Sequence, residues 1–382
     1  MKVLILSCNT GEGHNSSAKA LNAFMEKRGV CSVVADVLSF AGGTVSTRVS
    51  QAYNSSIKGT LFGNLYKIGD FVSNNVNCVK SPVYYANKIY SHKLHDYIVC
   101  NEFDAVVAVH LFAAEALTAI RRKEGLDVPT LFVMTDYTCI PFLKETELDG
   151  YAIAHEELRS EFVSAGIPKD KIIVAGIPVN ATDISIDKAE ARDMINSFFN
   201  WGTEKRNSIW YLIMGGSMGY GNMERLIEEL CKRSASEDCI ICVCGRNEDS
   251  RKKITEQYTA LKKVKVIGYT DKIPLLMKAS DILFSKPGGI TSTEAMLNNI
   301  PLVHTAPIPG FEYKNAIFFH NRSMSYYTAD IEKQASVAVR LCNDSVYRSR
   351  MLDAQRMNAN SNSCGIITDH IISMTKRHVP AN

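Results

Sequence analysis

The 382-residue sequence predicts an α/β protein of two Rossmann-like domains facing each other across a cleft. Three observations carry this expectation. The chain exceeds the ~100–200 residues of a usual domain. Each half opens with an apolar run that stops at a glycine-rich turn and restarts with helical periodicity. Further short apolar runs alternate with helical patterns along both halves, as parallel sheets with helical crossovers require.

In the first half, residues 2–7 read as a strand, too short and too soon interrupted to be a signal peptide. A polar turn, Asn9 to Ser17, follows, and then a helix with Ala18, Leu21, Phe24 and Met25 at helical spacing. Residues 31–37 read as the second strand and contain Asp36. Strands at 104–109, 130–135 and 151–154 run into His110, Asp136 and His155. The ends of parallel strands share one edge, so these three groups and His14 are expected around one cleft.

Residues 41–98 break the alternation. Arg48, Lys58, Lys67, Lys80, Lys88 and Lys93 are interleaved with Tyr53, Phe62, Tyr66, Phe71, Tyr84, Tyr85 and Tyr90. Two readings stay open: a solvated basic face of surface helices, or a basic, aromatic surface that settles on anionic lipid.

The second half starts with a strand at 209–214, the loop Gly215-Gly216-Ser217-Met218-Gly219 and an amphipathic helix bearing Met223, Leu226, Ile227 and Leu230. Strands are expected at 239–243, 265–267, 282–284 and 302–304. After the fourth of these five, Lys286-Pro287-Gly288-Gly289-Ile290-Thr291 turns the chain into a helix, so free N–H groups converge where phosphate can bind. After the fifth, Pro307-Ile308-Pro309-Gly310 leads to a helix starting near Glu312. Thr291 and Glu294 also fit a capping box, in which Glu294 serves only its own helix end.

A net charge of +3 does not mark a nucleic-acid binder. Eleven scattered cysteines, many in apolar runs, suggest a reduced cytosolic protein. Cys239, Cys242 and Cys244 read as a buried strand, with a metal site as the minor alternative. No apolar run reaches ~18 residues, so any membrane contact is expected to be peripheral. The expected organisation is an N-terminal domain at 1–178, a linker at 179–207, a second domain at 208–340 and terminal helices at 341–382 that cross back.

Taken in order, these motifs resemble the GT-B glycosyltransferases, and within them the lipid-directed branch of monogalactosyldiacylglycerol synthases and processive diacylglycerol glucosyltransferases. The carriers are Gly11-Glu12-Gly13-His14-Asn15-Ser16-Ser17-Ala18, Thr135-Asp136, Gly176-Ile177-Pro178, the Gly215 loop, the Lys286 turn with Glu294-Ala295, and Pro307-Ile308-Pro309-Gly310 with Glu312 and Asn315. The resemblance implies inverting transfer of glucose or galactose from a UDP-sugar, a co-substrate rather than a cofactor, to a membrane lipid such as diacylglycerol. It implies donor binding at Gly215, Gly216, Ser217, Gly288, Gly289, Ile290 and Thr291, ribose contact at Glu294, and sugar contact at Glu312 and Asn315. His14 is the expected base, titrating near neutrality, with Asp136 as its orienting partner or rival. Gly11, Glu12, Gly13, His110 and Tyr137 are expected to line the acceptor, with no metal at the site.

The sequence departs from the family at Glu12, where a glycine is common, at Phe311, where glutamine is common, and after Asp136, where a histidine is common. The added charge of Glu12 is expected to raise the pKa of His14 or to touch the acceptor. The rival readings are a transferase on a polyprenyl-linked or soluble acceptor, an NAD-linked oxidoreductase using Gly11, Gly13 and Asp36, and a non-catalytic nucleotide-sugar sensor.

Overall fold

A computed structural model describes residues 1–9, 12–42, 90–180, 186–201, 205, 207–219 and 221–378. The basic, aromatic stretch between 43 and 89 and Gly11 lie outside them. The chain divides into two units: Met1–Asn180 with Pro309–Phe311 and Asn360–Asn382, and Ala181–Ile308 with Glu312–Ala359.

The first unit holds six parallel strands, β1 (Lys2–Ser7), β2 (Cys31–Asp36), β3 (Ala105–Ala108), β4 (Thr130–Val133), β5 (Gly150–Ile153) and β6 (Ile172–Val174), in the order β2-β1-β3-β4-β5-β6. Runs such as Val3 to Leu6 are fully buried, because a parallel sheet is covered on both faces. Register follows from these runs: Val3 sits beside Ser32 on one side and Ala105 on the other. The chain leaves β1 towards one side and fills the other side from β3 onward. The crevice beyond the β1 and β3 ends is therefore the topological switch point, where α/β sheets take ligands.

The second unit repeats this with β7 (Trp210–Met214), β8 (Cys239–Val243), β9 (Val264–Ile267), β10 (Ile282–Ser285), β11 (Leu302–His304) and β12 (Tyr326–Tyr327), ordered β12-β11-β10-β7-β8-β9 and parallel throughout. Its switch point lies between β7 and β10. Both sheets contain an edge strand beyond the expected five. These are β6 and β12, only three and two residues long, too short to show a period.

The domain boundaries also differ from expectation. Residues 188–199 of the presumed linker form the helix Lys188–Phe199, which Arg192 fastens to the second unit by donating to the Ala279 carbonyl and pairing with Asp281. Asp281 also accepts from the Trp210 backbone N–H at 2.8 Å, so one carboxylate joins the helix to the central strand. At the other end, the return to the first unit begins at Asn360 rather than residue 341. There the helix Ser363–His378 buries Ile367 and Ile371 against Ala18, Leu21 and Met25. Tyr90, one of the aromatics of the stretch for which a surface role was open, is only 2% exposed and belongs to the interior.

Candidate active site

In the first unit, the turn after β1 begins the helix α1 (Glu12–Lys27) and puts His14 in its opening turn. His14 Nδ1 lies 3.0 Å from the Val109 carbonyl and 3.1 Å from Thr135 Oγ1. A carbonyl can only accept, so Nδ1 carries the proton and the lone pair is on Nε2. Nε2 has no hydrogen-bond partner among the described residues. Val109 follows β3 and Thr135 follows β4, so the ring is fixed by the ends of two neighbouring strands.

Burial, only partly offset by the Val109 contact, pushes the His14 pKa down to about 4. Two expectations are thereby corrected. His14 does not titrate near neutrality, and Glu12, half-buried in the same helical turn, does not raise it. The orienting contacts come from Val109 and Thr135 rather than from Asp136, which is half-buried one residue further on. In the sequence Thr135 enters only as a motif carrier beside Asp136 and Val109 only as a strand end, because a threonine and a backbone carbonyl carry no chemical signature that would give them this role.

His110 packs edge-on against His14, ring centroids 4.6 Å apart. Its Nδ1 accepts from the Phe112 N–H, capping the helix α3 (Leu111–Lys123). Burial, then the neighbouring His14, push its pKa well down, so both rings are neutral at pH 7. His155, the other strand-end histidine, caps a short 3-10 turn through Glu157 N–H. Tyr137 is buried and Gly13 continues α1. Asp36, the ribose acid of the dinucleotide reading, accepts from Asn9 and from Leu38 N–H instead.

In the second unit, Gly215 follows β7, and residues 216–219 form a tight turn closed by Gly219 N–H to the Gly216 carbonyl. Gly219 and Gly245 both have positive φ, and a Cβ on either would drive into backbone: Cys244 in the first case, Gly216 and Ser217 in the second. The loops after β7 and β8 interlock through these two glycines. Gly245 was not singled out in the sequence, since it is one isolated glycine after a strand.

The turn after β10 supplies the cation. The Lys286 side chain passes over Gly216, where a Cβ would sit 3.0 Å from its Cε, and its ammonium reaches Glu312 Oε1 at 2.6 Å. Glu312 Oε2 accepts from Ile308 N–H at 2.8 Å. Both carboxylate oxygens thus brace the loop, each through one contact. Asn315 is fully buried and donates to the Pro287 carbonyl, which shapes the turn.

The helix α9 (Gly289–Leu297) starts with Gly288 as N-cap and without a side-chain cap. Thr291 is thus inside the first turn, and the capping-box reading fails. Gly289, Ile290 and Thr291 form the first helical turn, whose N–H groups lack intrahelical acceptors, as helix starts that hold anions require. The carboxylate of Glu294, half-buried on the next turn, makes no hydrogen bond or ion pair among the described residues, while its backbone carbonyl accepts from Asn298. Desolvation pushes its pKa up to about 7. Cys239, Cys242 and Cys244 are buried at the β8 strand, Cys242 against Met223, as a core strand requires.

Residues 14–179 match the monogalactosyldiacylglycerol (MGDG) synthase family and residues 204–327 the family glycosyl transferases group 1. The chain is a relative of the GT-B glycosyltransferases. The processive diacylglycerol beta-glucosyltransferase of Bacillus cereus (strain 03BB102) is 26% identical over 386 residues, covering 100% of this chain and 95% of that one. The enzyme of that description from Staphylococcus saprophyticus is 28% identical, covering 84% and 79%. Acinetobacter baumannii MurG has a similar structure, with a TM-score of 0.63 at 15% identity over 98% of this chain and 99% of that one. The UDP-GlcNAc 2-epimerase of Neisseria meningitidis, bound to UDP-GlcNAc, matches equally well, with a TM-score of 0.63 at 16% identity, covering 98% and 100%. An epimerase sharing the GT-B fold means that the fold alone does not select transfer. The sequence relationship to the glycosyltransferases does.

Proposed function

We propose that the chain transfers glucose from UDP-glucose to diacylglycerol, with inversion, at the cytosolic face of a membrane. One observation carries this reading: the same chain holds a neutral histidine with Nε2 as its basic nitrogen and a glycine loop crossed by a lysine. The first suits a hydroxyl that must lose a proton, the second a leaving pyrophosphate. Diacylglycerol and glucose are supported by the names of the relatives, and UDP by the epimerase's ligand.

In this reading the pyrophosphate rests on Gly215, Gly216, Ser217 and the helix start at Gly288, Gly289, Ile290 and Thr291. Lys286 offsets the charge that grows on UDP as it departs. Glu294 accepts hydrogen bonds from the ribose hydroxyls. His14 Nε2 takes the acceptor's proton while the acceptor oxygen bonds to the anomeric carbon opposite UDP, and the electron pair of the broken bond leaves on UDP. Asp136 is the rival base, and Gly11, Glu12, Gly13, His110 and Tyr137 are proposed to surround the acceptor. Glu312 holds Lys286 in place.

The membrane is the proposed partner surface; among the described residues no helix is long and apolar enough to cross it. The test is to offer labelled UDP-glucose, UDP-galactose and UDP-N-acetylglucosamine separately, with diacylglycerol in anionic vesicles. A labelled glycolipid from UDP-glucose is expected. Labelling only from another donor corrects the sugar, and silence with all three despite UDP binding rejects diacylglycerol as acceptor.

A further inference from the structure

A cluster in the first unit belongs to neither half-site. His92 and His95 lie three residues apart on the helix α2 (Ser91–Cys100), hence on neighbouring positions of one face. Glu124 is the residue that ends α3. Its Oε2 lies 3.0 Å from His92 Nδ1 and 3.1 Å from His95 Nδ1, and one donor atom from each of the three falls within 4.8 Å of the others. Asp96 stands alongside, its carboxylate 3.7 Å from His92 Nε2 and 3.9 Å from His95 Nδ1.

Ion pairing alone accounts poorly for this convergence. Exposed pairs of this kind contribute ~0–1 kcal/mol, and here two rings compete for one carboxylate oxygen. Two imidazole nitrogens and a carboxylate oxygen are, however, the donor set of zinc-type ions. Such ions bind N and O ligands at about 2.0–2.2 Å, which spaces tetrahedral ligand atoms about 3.4 Å apart, close to the 3.0 and 3.1 Å from Glu124 Oε2 to the two rings. The remaining carboxylate, Asp96, is placed either to complete the shell or to accept the second ring N–H of His92, as metal-bound histidines require. His92 is three-quarters exposed, which leaves an entry path for the ion.

We propose that His92, His95 and Glu124, assisted by Asp96, bind one divalent transition-metal ion of the zinc type and clamp α2 to the C-terminal end of α3. The site lies at the end of α3 opposite His110, so it serves as a structural brace independent of the sugar-transfer reading.

The full chain, without a histidine tag and stripped of metal by chelation, is titrated with zinc by calorimetry and with cobalt by absorption spectroscopy. One equivalent is expected to bind with micromolar or tighter affinity. His92→Ala and His95→Ala should each weaken it by about tenfold or more. Saturating zinc should raise the melting temperature of the wild type by a few degrees and leave both variants unmoved. Cobalt should give ligand-field bands without thiolate charge transfer. Absence of stoichiometric zinc binding, unchanged affinity in both variants, or a thiolate band placing the ion on cysteines would overturn the proposal.

Discussion

His14 is held by two contacts at Nδ1 and packs against a second neutral ring, so its other nitrogen is fixed in direction and in protonation. His14→Ala should lower kcat by roughly 10²–10⁴-fold, the range supplied by a positioned base, with UDP affinity unchanged. Thr135→Val leaves the Val109 contact, so a loss of about 5- to 10-fold in kcat is expected from one missing hydrogen bond. The pH profile follows from the lowered pKa. The basic form is lost only as pH falls through about 4, so kcat at saturating donor should stay flat from pH 8 to below 6. A limb at pH 6.5 would show a histidine at its ordinary value. Glu294 behaves oppositely. Its pKa of about 7 means that the carboxylate forms between pH 6 and 8, so UDP affinity should rise across that window and Glu294→Gln should flatten the rise. The folded state keeps a proton that the unfolded chain, with an ordinary value of 4.5, has already released. The resulting penalty is absent well below pH 4.5 and complete above about 7, so Glu294→Gln should stabilise the protein by about 1–2 kcal/mol at pH 8 and by nothing at pH 4 in thermal melts.

Among the elements, the interlocked turns after β7 and β8 set the shape of the proposed donor loop. A Cβ at Gly245 would be forced onto the Gly216 and Ser217 carbonyls with φ already positive, and neither neighbour is a side chain that can swing away. Gly245→Ala should therefore cost about 2–3 kcal/mol in denaturant unfolding and weaken UDP binding as the loop shifts. Retained stability and affinity would mean that the two loops are independent. Both glycine-rich turns were legible because a strand, glycines and helical periodicity are adjacent in the sequence. Gly245 and Lys286 were harder to assign because their roles arise from loops separated by 30 to 70 residues meeting at a switch point. The bracing roles of Glu312 and Asn315 were missed for a related reason. A sequence shows that a carboxylate follows a Pro-rich loop, but not that its two oxygens meet Lys286 and the Ile308 N–H.

At the scale of the whole chain, each unit builds its own sheet while the first is completed by the last helix. Ile367 and Ile371 are buried among Ala18, Leu21 and Met25, and Arg28 pairs with Asp369 at 3.0 Å. Truncation after Ala359 should therefore expose that core and destabilise the first unit while UDP still binds the second. The two-domain plan was legible because periodicity resets after Pro178, whereas the crossing point at 360 was not, because the stretches on either side both read as helices and only their packing assigns them to different units. Transfer itself is tested most directly by giving wild type and His14→Ala labelled UDP-glucose and diacylglycerol vesicles, with UDP affinity measured on both. Labelled glucosyldiacylglycerol from the wild type alone, at equal UDP affinity, is expected. A glycolipid formed by the variant at near wild-type rate, or none from a UDP-binding wild type, would contradict the assignment of base and reaction.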